Sequence, residues 1–198
     1  MLQFITQTNS RYSIAETVQM AIEGGCRWIQ LHLPDLSDAD IRELAPDIID
    51  MCRESAVFLM LEDRPDLAKE LGLHGVHLSA GCRDRSAASV REELGPEAVI
   101  GVETGSADAV MALRNADIDY VSLPADMSLD DISRLVNTVR EAEIAIPIVA
   151  AGDIAADDAA AYMAAGVSGI ATGMPQIMAH DPVEAIARTL AQLNAHSN

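Results

Sequence analysis

The chain has 198 residues, 31 of them acidic and 13 basic, for a formal net charge of −18. A field of that sign repels phosphate backbones and anionic bilayer surfaces, which excludes nucleic acid and membranes as expected partners. Hydrophobic residues make up 49% but aromatic residues only 3%, so the core has to come from Ala, Val, Ile, Leu and Met packed between helices and strands, an α/β composition. The opening MLQFITQTNS has no basic lead into a long apolar run, and Cys26, Cys52 and Cys82 suit neither a disulfide framework nor a zinc ribbon. A reducing cytoplasm is the expected location.

In chain order, apolar runs of strand length alternate with longer segments at helical spacing. The strand Phe4–Gln7 is followed by a helix over Ile14–Gly24, Trp28–His32 by Ser37–Glu54, Phe58–Glu62 by Asp66–Gly72, and Gly75–Ser79 by Ser86–Leu94. Val99–Glu103 then leads to Ala107–Ala116, Tyr120–Leu123 to Leu129–Glu143, Pro147–Ala151 to Ala156–Ala165, and Gly169–Gly173 to Pro182–Leu193. Gly24, Gly25, Gly72, Gly95 and Gly166 stand where a helix must end and the chain turn back toward a strand. Strands joined by single helices require right-handed crossovers and a parallel sheet. Eight such units close into a (β/α)8 TIM barrel, with an open doubly wound sheet as the alternative. Nothing rich in Pro, Gly or Ser divides the chain, so residues 1–198 are expected to form one barrel domain.

Polar residues at the strand ends are the functional candidates, because the carboxyl ends of parallel strands meet on one face. Gln7, Gln30, His32, Glu62, Asp63, His77, Ser79, Glu103, Ser122, Asp153 and Thr172 all fall at or just past such ends. His and carboxylate side chains also ligate zinc, manganese or ferrous iron, but no His-x-His or His-x-x-x-His spacing occurs. Hydrogen-bonded or solvated groups are the simpler expectation, with a metal-dependent enzyme on a non-anionic substrate as the alternative. His77, inside Val76-His77-Leu78, reads as a satisfied barrel histidine, and Cys82 has only His77 near it as a base. The acidic stretches 35–40, 126–131 and 153–158 read as helix starts. The nine methionines read as core filling and leave a homo-oligomer open.

Several segments together resemble the thiamine phosphate synthase/TenI family. They are Phe4-Ile5-Thr6, Gly24-Gly25 before Ile29-Gln30-Leu31, Glu62-Asp63-Arg64-Pro65-Asp66-Leu67-Ala68, and Gly75-Val76-His77-Leu78. The likeness continues through Ile100-Gly101-Val102, Asp119-Tyr120-Val121, Ile146-Pro147-Ile148-Val149-Ala150 and Ala165-Gly166-Val167-Ser168-Gly169-Ile170-Ala171. The resemblance implies a barrel that joins a pyrimidine pyrophosphate to a thiazole phosphate with Mg²⁺. It implies Gln30, Gly152 and Gly173 as substrate contacts, beside His32, Glu62, His77, Glu103 and Thr172 at neighbouring strand ends. Asp63 then matches one Mg²⁺ ligand, and either Cys82 or Asp84 stands at the second.

The departures all have one sign. The family's Gln-x-Arg-x-Lys stands here as Gln30-Leu31-His32-Leu33-Pro34, its third-strand Asn is Glu62, and its fifth-strand Ser is Glu103. Its Gly-Gly pair after the seventh strand is Gly152-Asp153, and Glu103-Thr104-Gly105-Ser106 lacks the histidine of a TenI-type tautomerase. A pocket that binds pyrophosphate has to neutralise it; this one carries carboxylates instead. The sequence therefore leads to a diverged family member of thiamine biosynthesis. The alternative is an inactive barrel that senses a small ligand, phosphorylated or not, or binds a partner.

Overall fold

The computed structural model describes residues 1–82 and 85–196. Eight parallel strands close into a barrel in sequential order: β1 (Leu2–Ile5), β2 (Trp28–Leu31), β3 (Phe58–Glu62), β4 (Gly75–Leu78), β5 (Val99–Glu103), β6 (Tyr120–Leu123), β7 (Ile148–Ala151) and β8 (Gly169–Thr172). The helices are α1 (Ile14–Glu23), α2 (Asp38–Glu54), α3 (Pro65–Glu70), α4 (Ala87–Leu94), α5 (Ala107–Ala112), α6 (Leu129–Glu141), α7 (Ala159–Ala164), α8 (Met174–Ile177) and α9 (Pro182–Ala195). The closed ring decides for the TIM barrel over the open sheet.

Local chemistry accounts for most helix boundaries. Ser13, Ser37, Ser86, Ser106, Ser128 and Asp181 each accept a first-turn backbone N–H, and Ser13 and Ser37 complete capping boxes with Glu16 and Asp40. Gly25, Gly72, Gly95 and Gly166 have positive φ, as helix-stopping glycines should. Gly24 does not. At φ −70 its backbone suits any residue, and it is glycine because a Cβ would lie 2.7 Å from Ile186 of α9.

Barrel closure moved one strand. β1 begins at Leu2 rather than Phe4, because Leu2, Gln3 and Phe4 pair with Ile170, Ala171 and Thr172 of β8. Gln3 thereby joins Ile5 on the interior face, and Gln7 falls in the loop beyond the strand. α8 is a four-residue helix absent from the sequence reading; its first turn holds Pro175, which favours helix starts.

Strand alternation separates two cores. Ile29, Leu31, Leu59, Leu61, Val121, Leu123, Ile148 and Ile170 face outward into one buried cluster with helix residues such as Val18, Ile41, Ile48, Val139 and Ile186. Met60, Tyr120, Val149 and Ala171 fill the barrel interior. The Tyr120 ring meets Trp28 edge-on at 4.8 Å and lies nearly parallel to His77 at 5.7 Å. That ring occupies the space above Gly101, where a Cβ would stand 2.1 Å from its Cζ. Gly101→Ala is therefore expected to destabilise the fold by about 1–3 kcal/mol, the usual cost of overpacking, read as a lower urea midpoint with an unchanged denaturant slope.

Candidate functional site

One hydrogen-bonded chain runs through the barrel interior. Gln3 Nε2 donates to Gln30 Oε1 at 2.9 Å and to Tyr120 Oη at 2.8 Å. Gln30 Nε2 donates to Glu62 Oε2 at 2.6 Å, and His32 Nδ1 meets the same oxygen at 2.8 Å. Tyr120 Oη, which accepts from Gln3, lies 3.0 Å from His77 Nδ1. His77 Nε2 in turn lies 3.2 Å from Ser122 Oγ. Gln3, Gln30, His77, Tyr120 and Ser122 are all at most 5% exposed, so these bonds replace water for each of them.

Burial sets the protonation of the inner members. It pushes His77 down to about 4 and the Tyr120 phenol up, so both are neutral near pH 7. At the rim, the hydrogen bond to Glu62 is the largest influence on His32 and raises its pKa. For Glu62, burial works upward, but the His32 bond and charge together with the Gln30 donor outweigh it and the net direction is down. The two form an ion pair, with side chains 36% and 18% exposed. Glu103 goes the other way: burial raises it first, then repulsion from Glu62, Asp63 and Asp126, against a backbone N–H from Ala80.

These side chains line a cavity of about 250 Å³ at the carboxyl mouth, where Gln30, His32, Glu62, His77, Glu103 and Thr172 all reach its wall. Gln7, Ser122 and Gly152 line it too, and no Lys or Arg among the described residues does. The arginines on the loops after β1, β3 and β4 that are described here are otherwise engaged. Arg11 donates to the Met178 carbonyl, Arg85 pairs with Asp66 and Glu93, and Arg64 gives Nη2 to the carbonyls of Leu33 and Leu36 while its Nη1, without a hydrogen bond among the described residues, stands 3.5 Å from Asp38.

Two donors of the expected phosphate corner are taken up by backbone. Gly152 N–H donates to the Ala171 carbonyl at 3.0 Å, and the Thr172 hydroxyl is held by the Ile154 backbone, accepting at 3.2 Å and donating at 3.1 Å. Gly173 is required by packing, since a Cβ there would lie 2.0 Å from the Ile5 carbonyl oxygen, and its own carbonyl accepts from Ile177. Asp153 is exposed and does not line the cavity.

Asp63 is also turned away from the mouth. At φ 58 it occupies the left-handed region that Asp tolerates, and its two carboxylate oxygens accept the Ser79 N–H at 2.7 Å and the Ser79 hydroxyl at 2.5 Å. It lines a separate cleft with Asp38, Arg64, Asp66, Cys82 and Arg85. Asp84, the other candidate Mg²⁺ ligand, lies outside the described residues. Among the described residues no three His, Cys, Asp or Glu side chains are grouped to hold a metal; Mg²⁺ is commonly held by one or two carboxylates with water and substrate phosphates, and the one candidate carboxylate described, Asp63, has both oxygens engaged by Ser79.

Gln3 and Tyr120 are the members of this site that sequence reasoning missed. Their signal was a lone amide between Leu2 and Phe4, and a tyrosine two residues before Ser122 in β6. The polarity of the chain has a consequence in solution. His77 falls from 6.5 to about 4 on folding, so its contribution is complete above pH 6.5 and is lost as pH drops toward 4, on the order of 3 kcal/mol. His32 has the opposite sign: its raised pKa contributes below pH 6.5 and loses that contribution as pH rises through the folded value. Unfolding free energy measured by urea should therefore fall steeply between pH 6.5 and 4, and His77→Gln should flatten that fall.

Comparison with known proteins agrees with the architecture. The family model described as thiamine monophosphate synthase matches residues 2–174. A thiamine-phosphate synthase of Bacteroides fragilis (strain YCH46) is 35% identical over 201 aligned positions, covering 96% of this chain and 98% of its own length. One from Azorhizobium caulinodans is 35% identical over 184, covering 89% and 85%. Among solved structures, a thiamine phosphate pyrophosphorylase from Pyrococcus furiosus superposes with a TM-score of 0.86 at 23% identity, over 100% of this chain and 96% of that one. The chain belongs to the thiamine monophosphate synthase family.

Proposed function

We propose that this protein serves thiamine biosynthesis as a ligand-binding barrel, holding one small organic molecule at its carboxyl mouth without transferring a pyrimidine from its pyrophosphate. The observation that carries this reading is the composition of the cavity wall. Glu62 and Glu103 stand on it, no Lys or Arg among the described residues does, and the Gly152 N–H and Thr172 hydroxyl are already bonded to backbone. A diphosphate entering this space would meet carboxylates, and a leaving pyrophosphate would find no Lys or Arg among the described residues of the wall to stabilise it. Such a barrel acts as a sensor, or presents its bound ligand to a partner. We place it in the cytoplasm, where the buried, unbridged Cys26 and Cys52 stay reduced.

The second reading is the synthase reaction itself, joining a pyrimidine pyrophosphate to a thiazole phosphate with Mg²⁺. It is favoured by curated relatives that carry the name thiamine-phosphate synthase and match nearly end to end at up to 35% identity. In that reading Asp63 and Asp84 would take the metal. The described donors do not assemble a Mg²⁺ site, so no step is derived through it.

One assay separates the two. Incubated with both substrates and Mg²⁺ at enzyme concentrations comparable to substrate, the protein should form no thiamine phosphate above background. Turnover in the ordinary enzymatic range, roughly 1 per second or faster, would establish the synthase and overturn the binding reading.

A further inference from the structure

Two observations at the mouth point to the charge of its ligand. The first is a charge count. His32 is the one group of the wall among the described residues that can offset Glu62, when protonated, and His77 is neutral through burial. Glu103 is left uncompensated: it receives the Ala80 N–H and, among the described residues, no cation. Its repulsion from Glu62, Asp63 and Asp126 is the kind that a bound positive charge relieves.

The second observation is independent of any carboxylate. Gln3 is 0% exposed, and its Oε1 has no hydrogen-bond partner although the residue lines the same cavity. Rotating the amide does not cure this. Gln30 must point Nε2 at the Glu62 carboxylate and so presents Oε1 to Gln3, which has to answer with its own Nε2. A buried acceptor without a donor costs about 1–3 kcal/mol, and a ligand N–H reaching below Ile5 into the barrel would remove that cost.

Resting on the binding reading above, we infer that the mouth takes a small organic monocation rich in N–H donors, an ammonium or amidinium carried on a single ring, with Glu103, Glu62 and Gln3 Oε1 as its acceptors. The volume agrees. About 250 Å³ exceeds the roughly 150 Å³ that holds benzene in an engineered cavity, leaving room for one ring and one substituent. Charge-assisted hydrogen bonds to carboxylates supply both the attraction and the orientation.

The test uses the full chain and three probes of one shape: benzylammonium, benzyl alcohol and benzyl phosphate, titrated at pH 7 and followed by backbone amide NMR shifts and calorimetry. Benzylammonium should shift mouth residues and bind about tenfold or more tightly than benzyl alcohol, with no binding of benzyl phosphate. Glu103→Gln should weaken benzylammonium by about tenfold while leaving benzyl alcohol unchanged. Gln3→Met is a second variant that removes the unpartnered oxygen and should also weaken benzylammonium; retained thermal unfolding would confirm that each variant is folded. Equal or tighter binding of benzyl phosphate, or benzylammonium affinity unmoved in both variants, overturns the cation assignment and leaves a ligand-binding mouth standing. Mouth amides unmoved by all three probes overturn the cation assignment and the binding reading together.

Discussion

The direction of the hydrogen bonds inside this barrel is set by one ionised carboxylate. Glu62 can only accept, so Gln30 must give it an N–H and turn its carbonyl oxygen toward Gln3. Gln3 must then donate, to Gln30 and to Tyr120, and the hydroxyls of Tyr120 and Ser122 meet the two nitrogens of the neutral His77 ring. Reversing either glutamine amide would set acceptor against acceptor in a buried space. The interior is thus specified as well as filled, and what remains over is a single acceptor, Gln3 Oε1.

The same carboxylate governs the mouth. It holds His32 at the rim, and it presses on Glu103 from within the same cavity. The family fold is retained around a mouth that carries carboxylates. The strands, their order and their closure depend on apolar alternation and backbone pairing, which are indifferent to the charge of a few strand-end side chains. The fold tolerates these carboxylates because Glu62 and Glu103 stand at the last ladder pairs of their strands and turn to the open cavity rather than to the helix-facing core.

Much of the fold was legible beforehand because its causes are local. The capping serines, the positive-φ glycines and the alternation of apolar residues all act within a few positions of themselves, and the helices and strands appear where those signals stand. The start of β1 was not legible, because residues 2–4 are recruited by β8 from more than 160 positions away. The candidate list fared similarly. Gln30, His32, Glu62, His77 and Glu103 do converge on one cavity, whereas Asp63 turns to Ser79 and the Gly152 and Thr172 donors turn to backbone. Position at a strand end predicts which face a residue reaches. It does not say which neighbour claims its lone pairs.

By itself the sequence determined the family, the eight-fold alternation, the apolar core and the carboxylates at the ends of the third and fifth strands, since each is a matter of residue type and spacing along the chain. Only the tertiary structure decided that Gln3 faces inward, that Glu62 meets His32, that the Gly152 N–H and Thr172 hydroxyl turn to backbone and that Glu103 is left without a cation among the described residues. Those outcomes depend on angles and distances between side chains brought together by closure of the ring. A hydrogen bond is formed or lost within a few tenths of an ångström, a precision that spacing along a chain does not carry.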